Sequence, residues 1–94
     1  MTPAARIAAV IELLSDGPEN VPAGQVLRRG LQKRRYAGSG DRAAISALFW
    51  TVHRTLARLG WHLQQHGYAP TPRALVLAAL ALVDQLPAGD IATL

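Results

Sequence analysis

Cysteine is absent from this chain, and aromatic residues are few. Without thiols the chain has no cysteine nucleophile, no disulfide and no cysteine-based zinc site. The absence fits a reducing compartment, so we expect a cytoplasmic protein. One Phe, two Tyr and two Trp among 94 residues leave the core to Leu, Ala, Val and Ile, a composition that favours helices.

The sequence also lacks a hydrophobic run long enough to cross a membrane. Residues 74–83 are ten consecutive apolar residues, whereas a spanning helix needs about 20. This run predicts a buried helix instead. Residues 7–14 are apolar but are interrupted by Glu12, and no small-residue pattern of a signal-peptide cleavage site follows them. We therefore expect no membrane partner.

Acidic residues are scarce in the middle of the chain. From Arg28 to Arg58 there are eight Lys or Arg and only Asp41, a local charge of +7, while the flanks carry −3. A basic surface attracts phosphates at long range, so this asymmetry indicates a polyanionic partner. The alternative is an ordinary solvated basic face.

Helical periodicity is most regular between Asp41 and Leu63. Its apolar residues recur at the spacing of a helix with 3.6 residues per turn, and they are Ile45, Leu48, Phe49, Val52, Leu56, Leu59 and Leu63. The pattern predicts a long central helix, about 41–59, in an all-α bundle of five or more helices that forms a single domain over residues 1–94. Gly60 predicts a kink or a break before a short helix near 61–65.

The other helices are bounded by caps and breakers. Thr2-Pro3 and Thr71-Pro72 are N-terminal caps, Pro22 opens a helix that ends near Lys33 or Arg34, and Ser39 or Gly40 caps the long helix. The last long helix is expected over 74–86, with another beginning at residue 90. The expected inner faces are Ala4, Ile7, Ala8, Ile11 and Leu14 in the first helix (with Val10 and Leu13 beside them), Ala23, Val26, Leu27, Gly30 and Leu31 in the second, and Leu75, Ala78, Ala79, Leu82 and Leu86 in the last.

No catalytic or metal site is predicted. His62 and His66 have the i, i+4 spacing of two metal ligands, but no nearby carboxylate or cysteine completes a set, and we interpret them as surface histidines. The six carboxylates are scattered, and Gly38-Ser39-Gly40 lacks both the nucleophile-elbow and the phosphate-loop patterns. We therefore expect no cofactor in this chain.

The basic residues are the candidate site. In the second helix they project to the side opposite its apolar residues, and aromatic side chains nearby could stack on bases. Trp50 is either such a residue or a core residue under the first helix, and Arg54 either binds RNA or ties helix ends together. The predicted RNA-binding residues are Arg28, Arg29, Lys33, Arg35, Tyr36, Arg42, Arg54 and Arg58.

Three segments together resemble a known helical domain: 35–42 (RYAGSGDR), 48–54 (LFWTVHR) and 58–61 (RLGW). They are similar to the N-terminal domain of Sun/Fmu-type ribosomal RNA cytosine-5 methyltransferases, which shares the fold of the NusB antitermination factor. His53 departs from the family's usual leucine, and Gly60 from its aspartate before tryptophan. The residues that match the family pattern are Asp41, Arg42, Leu48, Trp50, Val52, Arg54, Leu59 and Trp61.

The resemblance implies a NusB-like, non-catalytic RNA-binding domain of a small-subunit ribosomal RNA methyltransferase. Its expected partners are ribosomal RNA and its own C-terminal methyltransferase domain. That domain would bind S-adenosylmethionine and is missing from these residues, so we expect an N-terminal fragment of a longer protein. The rival hypothesis is a protein-docking module that packs on the catalytic half or on a transcription or ribosomal partner. A DNA-binding helix-turn-helix fits less well, because the helix after the basic turn is too long and too apolar.

Overall fold

The structure is a computed structural model that describes residues 1–16, 20–35 and 37–82. Within those ranges all regular secondary structure is helical, which confirms the all-α prediction. The expected helix from residue 90 and the end of the helix expected over 74–86 lie outside the described residues. The five helices are α1 (Pro3–Asp16), α2 (Ala23–Lys33), α3 (Ser39–Arg54), α4 (Leu56–Gln65) and α5 (Pro72–Leu82).

The chain forms two compact units, Met1–Phe49 and Trp50–Leu94, and the boundary between them falls within α3. The first contains α1, α2 and most of α3. The second contains the last residues of α3 together with α4 and α5. We describe each unit by itself.

In the first unit, α1 and α2 approach each other closely because one of them carries a glycine at the contact. A Cβ atom at Gly30 would lie 1.8 Å from Leu13 Cδ2, so no other residue fits at this position without movement. Val10, Leu27 and Phe49 are also buried. Gly30 costs helix propensity, and the close packing of Leu13 offsets that cost.

The buried face of α1 differs from the predicted one. Ala4 and Ala8 are exposed, and the other three predicted residues, Ile7, Ile11 and Leu14, are half-buried. The residues actually buried are Ala9, Val10 and Leu13. Because α1 is apolar around most of its circumference, its own pattern does not select a face. The position of α2, with Gly30 against Leu13, decides it.

The prediction of one helix over 41–59 is wrong, because the helix breaks at Thr55. The Thr55 hydroxyl donates to the Thr51 carbonyl at 2.7 Å, and the Thr55 amide donates instead to the Val52 carbonyl at 3.2 Å. The hydroxyl thus takes the carbonyl that the amide would bond in a continuous helix. Gly60, where the break was expected, lies inside α4.

In the second unit α4 packs against α5. Leu59, Val76, Ala79 and Leu80 are buried. Leu75 and Ala78, which were expected to face inward, are only half-buried, and so is Leu56. The α5 residues are nearly all apolar, so here too the neighbouring helix selects the buried face.

Both predicted threonine caps are confirmed. The amide of Ala5 donates to Thr2 Oγ1 at 3.1 Å, and the amide of Ala74 donates to Thr71 Oγ1 at 3.2 Å. Each hydroxyl accepts from one of the amides that have no partner within the first turn of a helix. These caps fix where α1 and α5 begin.

Candidate nucleic-acid interface

Four exposed basic residues follow one another along α2 and the turn after it: Arg28, Arg29, Lys33 and Arg35. We call them the α2 basic face. The three on the helix project away from the buried Leu27 and Gly30, as predicted from 100° per residue. None of the four forms an ion pair with a side chain that the structure describes. Their charges are therefore directed to solvent.

Arg34 lies next to this face but has a different role. The residue is buried, its Nη1 donates to the Gly30 carbonyl at 2.8 Å, and its Nη2 donates to Glu12 Oε2 at 2.5 Å. The prediction that α2 ends near Lys33 or Arg34 is confirmed, because α2 ends at Lys33 and Arg34 follows it as the C-cap.

Arg42 stabilises the turn between α2 and α3. Its Nε donates to the Ala37 carbonyl at 3.2 Å and its Nη2 to the Arg34 carbonyl at 3.4 Å, and the residue is half-buried. These contacts connect α3 to the residues that follow α2 and satisfy carbonyls beyond the helix end. Its role as a phosphate contact stays a prediction.

Asp41 connects the start of α3 to α1. Its Oδ1 accepts from Arg6 Nε at 2.7 Å, and its Oδ2 accepts from the Gly38 amide at 3.3 Å. The Arg6 hydrogen bond, with a smaller contribution from the Gly38 amide, lowers the pKa of the Asp41 carboxyl against the opposing effect of desolvation. The helix begins at Ser39, and the cap differs from the predicted one: Asp41, three residues after Gly38, bonds back to the Gly38 amide.

The remaining predicted site residues are in the second unit or outside the description. Arg54 and Arg58 are exposed, and Arg54 Nη2 lies 3.5 Å from Thr51 Oγ1, a contact within α3 that does not tie helix ends together. Trp50 is half-buried, with its ring edge-on to His53 at 5.7 Å between centroids. Tyr36 is not among the described residues.

Sequence reasoning missed a crevice between α4 and α5. It has a volume of about 190 Å³ and is lined by His62, Leu63, His66, Tyr68, Ala78 and Ala81. Tyr68 is 65% exposed, and so is 57% of Trp61, whose ring meets His62 edge-on at 5.1 Å between centroids. We call Trp61, His62, His66 and Tyr68 the aromatic patch.

The turn that ends α4 places Tyr68 at this crevice. Gly67 has φ +79°, its amide donates to the Gln64 carbonyl, and the Tyr68 amide donates to the Leu63 carbonyl at 2.9 Å. These two bonds form a Schellman motif, which brings the residue after the glycine back over the last turn of the helix. A Gly-Tyr pair directly after the helical His62 and His66 was the signal in the sequence.

Within the described residues, no three His, Asp or Glu side chains are grouped so that they could hold a metal ion. In the same part of the chain, no helix combines the length and the apolar character that crossing a bilayer requires. No protein-family model, no curated protein and no solved structure matches this chain.

Proposed function

We propose that this chain is an RNA-binding helical domain that helps hold ribosomal RNA for a cytosine-5 methyltransferase. The RNA-binding part of the proposal is supported by the charge and exposure of named side chains. The enzyme and the NusB-like fold are proposed from the resemblance of residues 35–61 to the Sun/Fmu-type family. In such a protein the methyl transfer would belong to a separate domain that binds S-adenosylmethionine.

The observation that carries the proposal is the α2 basic face. Neighbouring arginines in the same unit are paired: Arg6 with Asp41, and Arg34 with Glu12. Arg28, Arg29, Lys33 and Arg35 make no such pairs with the described residues. Paired arginines contribute to the packing of the helices, whereas unpaired exposed ones mainly add positive potential. A row of these along one helix and its following turn matches the spaced phosphates of a nucleic-acid strand.

The binding mode follows from the side chains available. Arginine and lysine on an exposed face contact phosphate oxygens and thereby position an RNA without reading its bases. Arg42 holds the turn that leads from Arg35 into α3, so it keeps the end of the face in place. We therefore expect weak binding with a steep dependence on salt from this domain alone.

The test is a salt titration of RNA binding. Fluorescence anisotropy with a structured ribosomal RNA fragment gives the slope of log affinity against log salt concentration. Replacing Arg28, Arg29 and Lys33 together with Gln should lower that slope by about 2, because each phosphate contact on single-stranded RNA contributes about 0.7. Their exposure predicts that the fold, followed by circular dichroism, is unchanged.

Arg73→Gln is the matched control, because Arg73 is exposed on α5 and outside the proposed face. It removes one charge and should leave the slope within about 0.3 of the parent. A double Arg54→Gln and Arg58→Gln variant measures whether the second unit also contacts phosphates. If the triple variant bound with the parent's affinity and slope, the α2 basic face would not be the RNA site. Binding to a partner with an affinity that does not change with salt concentration would then favour the protein-docking alternative.

A further expectation concerns the cofactor. We propose that S-adenosylmethionine binds to a separate methyltransferase domain and not to these residues, since the described part of the chain has no strand that could lead into a glycine-rich loop. Isothermal titration calorimetry of the chain with S-adenosylmethionine should show no saturable heat. A stoichiometric micromolar site would contradict the assignment of this chain as the non-catalytic part.

A further inference from the structure

The crevice of the second unit has the shape and chemistry of a site for one flat ring. Its walls are formed by Leu63, Ala78 and Ala81, with aromatic rings at the rim. Apolar walls offer contact to the face of a ring but few hydrogen-bond partners. His62 belongs both to the crevice and to the edge-on contact with Trp61, so the aromatic patch is continuous from the crevice to the exposed indole.

The volume limits what can enter. A dry cavity of about 150 Å³ accepts a single benzene ring, and pockets for drug-sized molecules measure about 300–1,000 Å³. At about 190 Å³ the crevice has room for one planar ring system, and it is open to solvent. The rim residues His66 and Tyr68 are exposed, so a ring attached to a longer chain can enter from solvent.

The charge of the second unit indicates which class of ligand could carry that ring. No Asp or Glu occurs between Asp41 and Asp84, so the described part of the second unit has no acidic residue. Asp84 and Asp90 belong to the same unit but lie outside the described residues, and with three arginines the unit carries a net charge of +1. Arg54, Arg58 and Arg73 are all exposed there. Arg58 precedes His62 by four residues on α4, which places the two side chains on the same face of the helix. A polyanion that carries planar rings therefore fits the positively charged surface around the crevice better than a neutral or cationic partner does.

We propose that the crevice accepts an unpaired base of single-stranded RNA, stacked on the aromatic patch, while Arg58 contacts an adjacent phosphate. The inference rests on the proposed RNA-binding function and names the form of RNA that the second unit takes. Stacking on aromatic side chains tolerates every base, because each base has a π-face. Paired bases in a duplex are unavailable for such stacking, so the site favours loops, bulges and single-stranded ends.

The test separates bases from phosphates. Fluorescence anisotropy compares a short single-stranded oligoadenylate with an abasic oligomer that has the same number of phosphates. The parent chain should bind the oligoadenylate about fivefold or more tightly, the lower end of the stacking contribution per base. The tryptophan emission should be quenched by the oligoadenylate and not by the abasic oligomer, and Trp61→Phe should remove most of that quenching.

Variants assign the preference to the patch. Trp61→Ala and Tyr68→Ala should each reduce the preference for the oligoadenylate and leave binding of the abasic oligomer unchanged. Gln65→Ala, an equally exposed change on α4, should alter neither. Because the quenching experiment on the parent chain needs no truncated side chain, it tests the proposal even if an alanine variant folds poorly.

The outcomes distinguish this inference from the α2 basic face. Equal binding of the two oligomers without quenching overturns the stacking site, while salt-dependent binding of both would leave the basic face in place. A base preference that survives the triple change of Arg28, Arg29 and Lys33, with an unchanged salt slope, supports the crevice and contradicts the basic face. If Trp61→Ala changes the sedimentation of the chain and not its RNA binding, the patch is a protein contact and the inference is wrong.

Discussion

The two units of this chain use arginine differently. In the first unit, Arg6 and Arg34 bind carboxylates that lie 35 and 22 positions away in the sequence, and Arg42 binds two backbone carbonyls nearby. The same unit also carries the exposed α2 basic face. In the second unit Arg58 and Arg73 are exposed and have no acidic neighbour to bind in its described part. The first unit therefore has both structural and solvent-directed arginines, whereas the described arginines of the second unit are directed to solvent.

The comparison explains where ligand contacts are expected. In the first unit there are seven Lys or Arg and two described carboxylates; two arginines bind those carboxylates, Arg42 binds backbone carbonyls, and the other four form the α2 basic face. In the second unit, burial of Leu59, Val76 and Leu80 and the hydroxyl caps are what hold the helices. Its exposed surface therefore keeps both its positive charge and its aromatic rings. We therefore expect a pH response of the first unit through Asp41, and a large response of the second unit to changes in its apolar packing.

The largest effect is expected from removing apolar contact in the second unit. Leu80 is 5% exposed, so Leu80→Ala should lower the free energy of unfolding by about 2–5 kcal/mol. Leu56, on the predicted central helix, is only half-buried, and Leu56→Ala should cost about 1 kcal/mol. Urea unfolding followed by circular dichroism measures both. Equal losses would mean that burial does not rank these positions, and the contrast with the first unit would weaken.

The next effect contrasts one glycine from each unit. At Gly30 an added methyl group would overlap Leu13, so Gly30→Ala should destabilise the chain by about 1–3 kcal/mol despite the better helix propensity of alanine. At Gly60 the added Cβ would lie 3.9 Å from Pro70 Cβ, an ordinary contact. Gly60→Ala should therefore stabilise the chain by up to about 1 kcal/mol. Denaturant unfolding measures the change in the free energy of unfolding for each variant. Changes of opposite sign support the packing described for α1 and α2, and an increase in stability for both variants would contradict it.

The glycine pair also shows how far sequence predicts this fold. Periodicity and caps predicted an all-α bundle of five or more helices, the threonine caps and the end of α2 near Lys33 or Arg34, because those features depend on neighbours within a few residues. The buried faces of α1 and α5 were predicted only in part: Ala79, and Val10 and Leu13 beside the expected face of α1, are buried, but Ala4 and Ala8 are exposed. Helices that are apolar almost all round leave the choice of face to the packed neighbour. Gly30 lowers helix propensity, but it also allows close packing against Leu13, seventeen positions earlier in the chain. A local sequence pattern does not predict a contact between residues that are so far apart.

A smaller effect should come from pH, through Asp41 of the first unit. The pKa of Asp41 is lowered in the folded chain, chiefly by the Arg6 hydrogen bond, so the unfolded chain binds a proton there more readily. The contribution of Asp41 to stability is therefore complete above the ordinary carboxyl pKa of about 4 and is lost as pH falls through the lower folded value. Asp41→Asn should melt below the parent at neutral pH, and the difference should vanish on acidification.

Arg6→Gln is the partner control for that experiment. It removes the same hydrogen bond, so it should reduce the pH dependence of the melting temperature as Asp41→Asn does. An unchanged melting temperature of Asp41→Asn at every pH would mean that Asp41 does not join α1 to α3. A pH dependence of the same size in a variant of the second unit would remove the contrast between the units.

The sequence predicted which residues form the candidate site better than it predicted their contacts and positions. Charge counting identified Arg28, Arg29, Lys33 and Arg35, and helical projection placed the first three on the solvent side. It could not separate these from Arg42, because the carbonyls that Arg42 binds become available only when α2 stops and the chain turns. The crevice was missed for a related reason. It forms only when the turn at Gly67 brings Tyr68 back over α4 and when α5 packs on α4. The Gly67 turn can be predicted from neighbouring residues, but the packing of the two helices cannot.

The smallest expected effect is at Thr55, where one hydroxyl holds the break between α3 and α4. In Thr55→Ala the Thr51 carbonyl loses its hydroxyl donor and becomes available to the amide of residue 55, and alanine is the better helix former. The helix should then continue through residue 55, with a gain of about 0.5 kcal/mol in the free energy of unfolding. Backbone carbonyl chemical shifts of residues 51–56 measure the change directly.

Two matched variants identify the cause of the break. Thr55→Ser keeps the hydroxyl and should keep the break, whereas Thr55→Val keeps the branched shape without the hydroxyl and should shift toward the continuous helix. If Thr55→Ala left the chemical shifts of residues 51–56 unchanged, the packing of α4 against α5 would set the break and not the hydroxyl. The second unit would then be organised by apolar contact alone, and its contrast with the arginine-bound turn of the first unit would become sharper.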